Sequence, residues 1–162
     1  MSFAFLSPTR CDAAALASPL ARALAGVSDG RVGDLSLQGK VEFRGEVDRA
    51  QPQRGEELIR LSPRRALLFL ESDAVPVVER LREDGFLAYD MTGALAGLAF
   101  EGEQVARRLT DLDLEKVPTA GGFAKIGAVL VRDEGERFRV YFPQELGHYV
   151  AEVVLDAIEG LE

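Results

Sequence analysis

Few residues in this chain have the chemistry to act as reagents. It holds one histidine, His148, and one cysteine, Cys11. A single imidazole excludes a metal site built on paired histidines or on two cysteines and two histidines. Without an identifiable orienting partner it is also weak material for acid–base catalysis, so His148 reads as an ordinary surface or boundary residue. Cys11 reads as a small inert thiol, and a Cys11–His148 dyad could be assembled only by the fold. The stretch "TAGGFAKIG", residues 119–127, offers glycines and Lys125 for a phosphate. It departs from the P-loop pattern, however, and runs into the strand-like "AVLVRD" where an anion site needs a helix amino end. Lys125 therefore reads as a strand-edge lysine. "GALAG", residues 93–97, has no helix opening between its glycines and misses the dinucleotide fingerprint. Asp111, Asp113 and Glu115 alternate in "DLDLE" without the glycine turn and distal glutamate of a calcium loop, which leaves an exposed acidic edge.

The remaining chemistry is electrostatic. A net charge of -8 on 162 residues disfavours general nucleic-acid binding, which needs concentrated Lys and Arg. Between positions 40 and 65, though, Lys40, Arg44, Arg49, Arg54, Arg60, Arg64 and Arg65 outnumber the acids by two, so the rest of the chain carries -10. Lys40, Arg44, Arg60, Arg64 and Arg65, with Lys125 apart from them, are the candidates for contact with an acidic partner or an anion. Arg64 and Arg65 of "LSPRR" have the guanidinium forks suited to carboxylate or phosphate. The competing reading is solvated strand ends around a charged turn.

Elements must position these groups. "SPLARALAG" reads as a short helix with Ser18 as cap, Pro19 in the first turn and Gly26 at the end. "RVGDLSL" and "KVEFRG" read as strands; in the second, Val41 and Phe43 alternate with Lys40, Glu42 and Arg44 in the pattern of a half-buried strand. "EVDRAQPQRGEE" reads as a surface loop. "ELIRLS" and "RALLFL" follow as strands, and "SDAVPVVERLREDG" as a helix capped by Ser72 or Asp73, burying Ala74, Val77, Val78 and Leu81 and stopped by Gly85. "FLAYDMT" and "ALAGLAFEG" are strands, and "EQVARRLTDLDL" is a helix with Val105, Ala106, Leu109 and Leu112 on one side. "AKIGAVLVRD" and "RFRVYF" form a hairpin through "DEGE", where Gly135 suits a positive φ. Leu146, Tyr149, Val150, Val153, Val154, Ala157, Ile158 and Leu161 mark a final helix started by Pro143.

The chain also says one thing twice. "DLSLQGKVEFRG", residues 34–45, and "DMTGALAGLAFEG", residues 90–102, match Asp34 with Asp90, Ser36 with Thr92, Val41 with Leu98, Phe43 with Phe100 and Gly45 with Gly102, with one inserted residue. Element order agrees as well: two strands, a connection, two strands and a closing helix. This predicts one domain over 1–162 built from pseudo-repeats at 31–85 and 86–160. The start lacks the basic and long apolar regions of a secretory signal, and no run approaches the roughly 18 apolar residues of a membrane span. One unpaired cysteine suits a reducing compartment. A soluble cytoplasmic protein is expected.

"YDMTGALAGLAFEGEQVARRLTDLDL" and "GGFAKIGAVLVRDEGERFRVYFPQELGHYVAEVVLDAI", with the amino-terminal "SPL" and the "LSPRRALLFL" hairpin, resemble the folate-binding domain superfamily of the glycine cleavage T-protein. The nearest likeness is to the gamma subunit family of heterotetrameric sarcosine oxidase. The resemblance implies an α+β fold of two pseudo-symmetric subdomains, with antiparallel sheets and helices packed on them, that exchange their first strands. It also implies a non-catalytic accessory subunit held by larger flavin- and folate-dependent oxidoreductase chains of one-carbon metabolism. The T-protein segment with asparagine, paired glycines and paired aspartates has no counterpart here, nor has the cysteine-centred signature of related iron–sulfur maintenance proteins. No catalytic residue carries over, and no cofactor is expected on this chain alone. The alternative is a stand-alone domain that binds tetrahydrofolate or transfers an aminomethyl group. A third reading is a divergent domain that keeps the fold for protein binding alone.

Overall fold

A computed structural model describes residues 17–27 and 30–161; Cys11 and the opening segment lie outside the described residues. The elements in chain order are β1 Val32–Asp34, β2 Gly39–Arg44, β3 Glu56–Ser62, β4 Arg65–Leu70, α1 Ala74–Glu83, β5 Leu87–Asp90, β6 Leu95–Glu101, α2 Glu103–Leu109, β7 Thr119–Phe123, β8 Ile126–Arg132, β9 Arg137–Pro143 and α3 Gly147–Glu159. Every strand pairing is antiparallel. One sheet has the order β1-β6-β9-β8-β7 and the other β3-β4-β2-β5. The fold is thus α+β. No helix among the described residues is long and apolar enough to cross a membrane.

Alternation along the strands produces four layers, because successive side chains leave a strand on opposite faces. In the four-stranded sheet Val41, Phe43, Ala66, Leu68 and Leu70 turn to α1 and bury Ala74, Val77, Val78 and Leu81, the four residues predicted for its apolar stripe. The opposite face sends Ile59, Leu67 and Phe69 against Val129, Val131 and Tyr141 of the five-stranded sheet. That sheet's outer face, through Leu98, Phe100, Leu130, Phe138, Val140 and Phe142, packs on α2 and α3. Asp73 caps α1, accepting the Val75 N–H at 3.1 Å.

The two halves trade a strand. β1 is bonded to β6, and β5 is bonded to β2. The exchange follows one pattern at both places. Asp34 pairs with Leu98 and Asp90 with Val41. The Ser36 N–H donates to Asp34 Oδ1 at 2.8 Å, and the Thr92 N–H to Asp90 Oδ1 at 2.8 Å. The Leu35 N–H then donates to Gly97 O, and the Met91 N–H to Lys40 O, each at 2.8 Å. In return Ser36 Oγ accepts from Gly97 N–H at 3.4 Å and Thr92 Oγ1 from Lys40 N–H at 3.1 Å. The acid and the hydroxyl of the repeated motif are the turn chemistry by which each strand crosses to the other sheet.

Several expectations are corrected. Residues 19–26 form successive turns in place of a regular helix, although Ser18 Oγ does accept the Leu20 N–H at 3.0 Å and Leu20 is fully buried. The strand read in "RVGDLSL" ends at Asp34, where the acid's turn begins. β2 is covered on both faces: Lys40 is 0% and Glu42 5% exposed, because the second sheet lies over the side that alternation alone left to solvent. The polar loop buries Val47. α2 ends at Leu109, short of "TDLDL"; Leu112 instead lies over β7, within 2.4 Å of where a Cβ on Gly121 would stand. "TAGGF" forms β7, a strand without counterpart in the first half. Lys125 sits in the β7–β8 turn and not on a strand edge. On α3 the buried stripe is Gly147, Val150, Ala151, Val154, Ala157 and Ile158, while Tyr149 and Leu161 remain exposed.

Candidate functional site

The strand exchange fixes what stands at the centre. In the β2–β4 register Lys40 faces Phe69, and in the β6–β9 register Gly97 faces Tyr141. Phe69 and Tyr141 are therefore matching residues of the two sheets. They stack on each other, with ring centroids 3.8 Å apart and planes 17° from parallel. Gly97 has no side chain because Tyr141 takes its space: a Cβ there would lie 2.9 Å from Tyr141 Cε1 and 3.0 Å from Leu35 Cβ. Lys40 occupies the matching place and is buried. Its Nζ donates to Ser36 O at 2.8 Å and to Gln38 O at 2.7 Å. Burial lowers its pKa to about 8, against the upward pull of Asp34 and Asp90.

Tyr141 is held at both ends. Its hydroxyl donates to Gln38 Oε1 at 2.9 Å and accepts from Arg139 Nη1 at 3.3 Å, and burial pushes its pKa up to about 12. Arg139 forks onto Glu57, at 2.6 and 2.8 Å, and reaches Asp133 at 2.6 Å. This ties β9 to β3 across the gap between sheets. The clefts on either side of Arg139 hold about 440 and 370 Å3 and are lined by Asp133, Glu134 and Arg137 on one side and by Glu56, Glu57 and Glu71 on the other.

The basic segment is partly gathered. Arg44 and Arg65 are opposite each other at the end of β2 and β4, and Arg64 lies in the adjoining turn, its carbonyl accepting from Gly45 N–H at 3.1 Å. Glu42, nearly buried, holds both neighbours, at 3.0 Å from Arg44 Nε and 2.7 Å from Arg65 Nη2. The two guanidinium groups depress the Glu42 pKa even though burial alone would raise it. One carboxylate between two cations leaves an excess of positive charge, to which Arg64 adds. Arg60 is close in sequence but ion-paired to Asp48. Lys40 is absent from this surface because it is buried between the sheets, and Lys125 is in a turn between two strands of the other sheet.

Charge counting missed the apolar half of this patch. Arg44 pairs with Leu87 and Glu42 with Tyr89 on β5, so these side chains share a face. Leu87 is 63% and Tyr89 47% exposed. The signal was the alternation of "FLAYD", whose second set of apolar residues had no assigned cover. The strand's open edge is less available: Arg82 of α1 donates through Nε at 3.0 Å and Nη2 at 2.8 Å to Ala88 O. That occupies one backbone acceptor of the edge, while the side-chain face stays exposed.

His148 lies on the exposed side of α3 with Nε2 3.1 Å from Glu152 Oε1. Among the described residues no group of three or more His, Cys, Asp and Glu side chains is placed to hold a metal.

No protein-family model and no curated protein matches the chain. Solved structures do. The chain is similar to the regulatory subunit of aspartate kinase from Thermus thermophilus, with 17% identity and a TM-score of 0.47 over 78% of this chain and 96% of that one. It is similar to a chain of heterotetrameric sarcosine oxidase from Corynebacterium sp. U-96, with 16% identity and a TM-score of 0.71. The second match spans 90% of this chain and 95% of that one, so the two share a fold over nearly their whole lengths.

Proposed function

We propose that this chain is a non-catalytic accessory subunit of a sarcosine oxidase-type assembly, docked on larger oxidoreductase chains that carry the flavin and folate chemistry. The observation that carries the reading is the fold match to a chain of a heterotetrameric sarcosine oxidase, complete to 90% and 95% of the two lengths. A match to an isolated domain of a large chain would leave most of that chain uncovered. The gamma-like motifs of the sequence favour the same subunit. In this reading the assembly is cytoplasmic, and the scaffold arose by duplication of one unit whose copies exchanged a strand. The identical hydrogen bonding around Asp34–Ser36 and Asp90–Thr92 supports that history.

The docking surface in this reading is the end of the four-stranded sheet. Leu87 and Tyr89 supply apolar contact, and Arg44, Arg64 and Arg65 supply cations for an acidic rim on the partner. A stand-alone tetrahydrofolate-binding role has less support. The place between the two halves is filled by the Phe69–Tyr141 stack, and the cleft beside it at Gln38 presents Glu56, Glu57 and Glu71 where an anionic glutamate tail would have to lie.

Purification of the chain from its native cell tests the proposal. Larger oxidoreductase chains are expected to accompany it, and Leu87→Glu with Arg65→Glu is expected to release them. A stable monomer with no such companion overturns the reading.

A further inference from the structure

The turn that joins β7 to β8 is built from the wrong residues for its shape. A two-residue hairpin turn with both φ angles positive is normally made by Asn, Asp or Gly. Here Ala124 has φ 48° and Lys125 has φ 65°. Left-handed backbone at residues with a Cβ is strained, and such strain concentrates where a side chain is needed at a fixed point. The surroundings hold the turn firmly. The Ala124 N–H donates to Leu109 O at 2.7 Å, and Ala124 O accepts from the Tyr149 hydroxyl at 2.9 Å.

What the strained turn adds is a cation at a cleft of about 470 Å3 between α2, β7 and α3. Its apolar lining comes from Leu109, Leu112, Val153 and the 41% exposed Tyr149. Lys125 makes no hydrogen bond or ion pair with the described residues. Arg108, also lining it, has only a long contact of 3.5 Å to Gly160 O, and Asp111 is the one acid there. Two cations against one carboxylate, beside an apolar wall, make a site with a charged end and a greasy side. The volume lies within the range of small-ligand pockets, roughly 300 to 1,000 Å3.

We propose that this cleft binds a small organic carboxylate with an apolar body, its carboxylate on Lys125 and its body along Leu112, Tyr149 and Val153. The site lies among α2, β7 and α3 on the five-stranded sheet, whereas Leu87 and Tyr89 are on β5 of the four-stranded one, and it does not depend on the subunit reading. The bonds of Ala124 to Leu109 and Tyr149, which hold the turn in its left-handed shape, are what keep the ammonium at the mouth.

Hexanoate, with 1-hexanol and hexylammonium as neutral and cationic controls, tests this by calorimetry and by amide chemical-shift mapping on the full chain. Saturable millimolar binding of hexanoate is expected, with shifts centred on residues 109–112, 122–125 and 149–153 and much weaker binding of both controls. Ala124→Gly relieves the strain and keeps the lysine, so it should retain binding. Lys125→Gly relieves the strain and removes the charge, so affinity should fall about tenfold, the scale of one charge-assisted hydrogen bond. Hexanol binding as well as hexanoate, shifts elsewhere on the protein, or Lys125→Gly binding unchanged would each overturn the proposal. Should Lys125→Gly fail to fold, the shift map and the ligand controls on the unaltered chain still decide.

Discussion

Lys40→Met is the substitution whose effect should change most with pH. The ammonium is fully buried and bonded only to two carbonyl oxygens, and its pKa in the folded protein is lowered from 10.5 to about 8. In the unfolded chain it holds its proton to about pH 10.4. Between those values the unfolded state binds more protons than the folded one, so stability rises with pH. The difference of the two pKa values amounts to about 3 kcal/mol, gained between pH 8 and 10.5. Methionine cannot titrate and contributes no such slope. At pH 7 the variant loses two hydrogen bonds but also the penalty of a buried charge, and these terms, each about 2–3 kcal/mol, nearly cancel. The two proteins should then have similar stability at pH 7, and the parent should lead by about 3 kcal/mol near pH 10. Urea unfolding at pH 7, 8, 9 and 10, read as the parent-minus-variant difference, removes the contribution of every other titrating group. Parallel curves over this range would mean that Lys40 keeps an ordinary pKa, and the account of its burial would fail.

The same difference experiment reads other sites. Tyr141 has its pKa raised to about 12, so its stability contribution is present below pH 10 and lost above it; Tyr141→Phe should flatten the decline between pH 10 and 12 in unfolding measurements. Glu42 has a depressed pKa, so what it contributes is present above about pH 4.5 and lost as pH falls through the folded value. Glu42→Gln should shallow the acid limb of stability, and an unchanged limb would deny the shared Arg44–Glu42–Arg65 pairing its role. Gly97→Ala forces a methyl against Tyr141 and Leu35 and should cost about 1–3 kcal/mol by urea midpoint. Leu87→Glu changes a residue that is 63% exposed, so it should leave stability within about 0.5 kcal/mol while abolishing capture of a larger partner chain in a pull-down.

What was legible in the sequence followed from local rules. The α1 stripe, the Asp73 cap and the β8–β9 hairpin are set by neighbours three or four residues apart or by two-fold alternation, and a reader of residues meets those directly. The matched Asp34–Ser36 and Asp90–Thr92 were also visible, and the structure gives their reason: each pair turns one strand out of its own half. The burial of Lys40 was not legible. Its strand reads as half-buried by alternation, and the second sheet that covers the polar face comes from residues some ninety positions later. "TAGGF" escaped for the opposite reason. Its glycines lack strand propensity, and only the packing of Leu112 over Gly121 makes their absence of side chains useful. Of the basic residues that the charge pattern singles out, the fold brings Arg44, Arg64 and Arg65 together at one end of the four-stranded sheet. The charge pattern could not find Leu87 and Tyr89, whose exposure depends on how far the five-stranded sheet reaches.

Positions that hold the same register in the two sheets differ in side chain. Lys40 on one side answers Gly97 on the other, and Leu67 answers Arg139, since each pair holds the same register across its sheet. A fully symmetric centre with two lysines would bury two like charges, and one with two glycines would leave a void where Lys40 stands. The observed division gives one half a buried amine that ties its own turn through Ser36 and Gln38. It gives the other half a guanidinium that ties the sheets together through Glu57. Each side chain fits because its counterpart is small or apolar. A centre organised in this way is occupied by its own interlocking side chains, which leaves the Leu87–Tyr89 patch and the Lys125 cleft for the contacts proposed above.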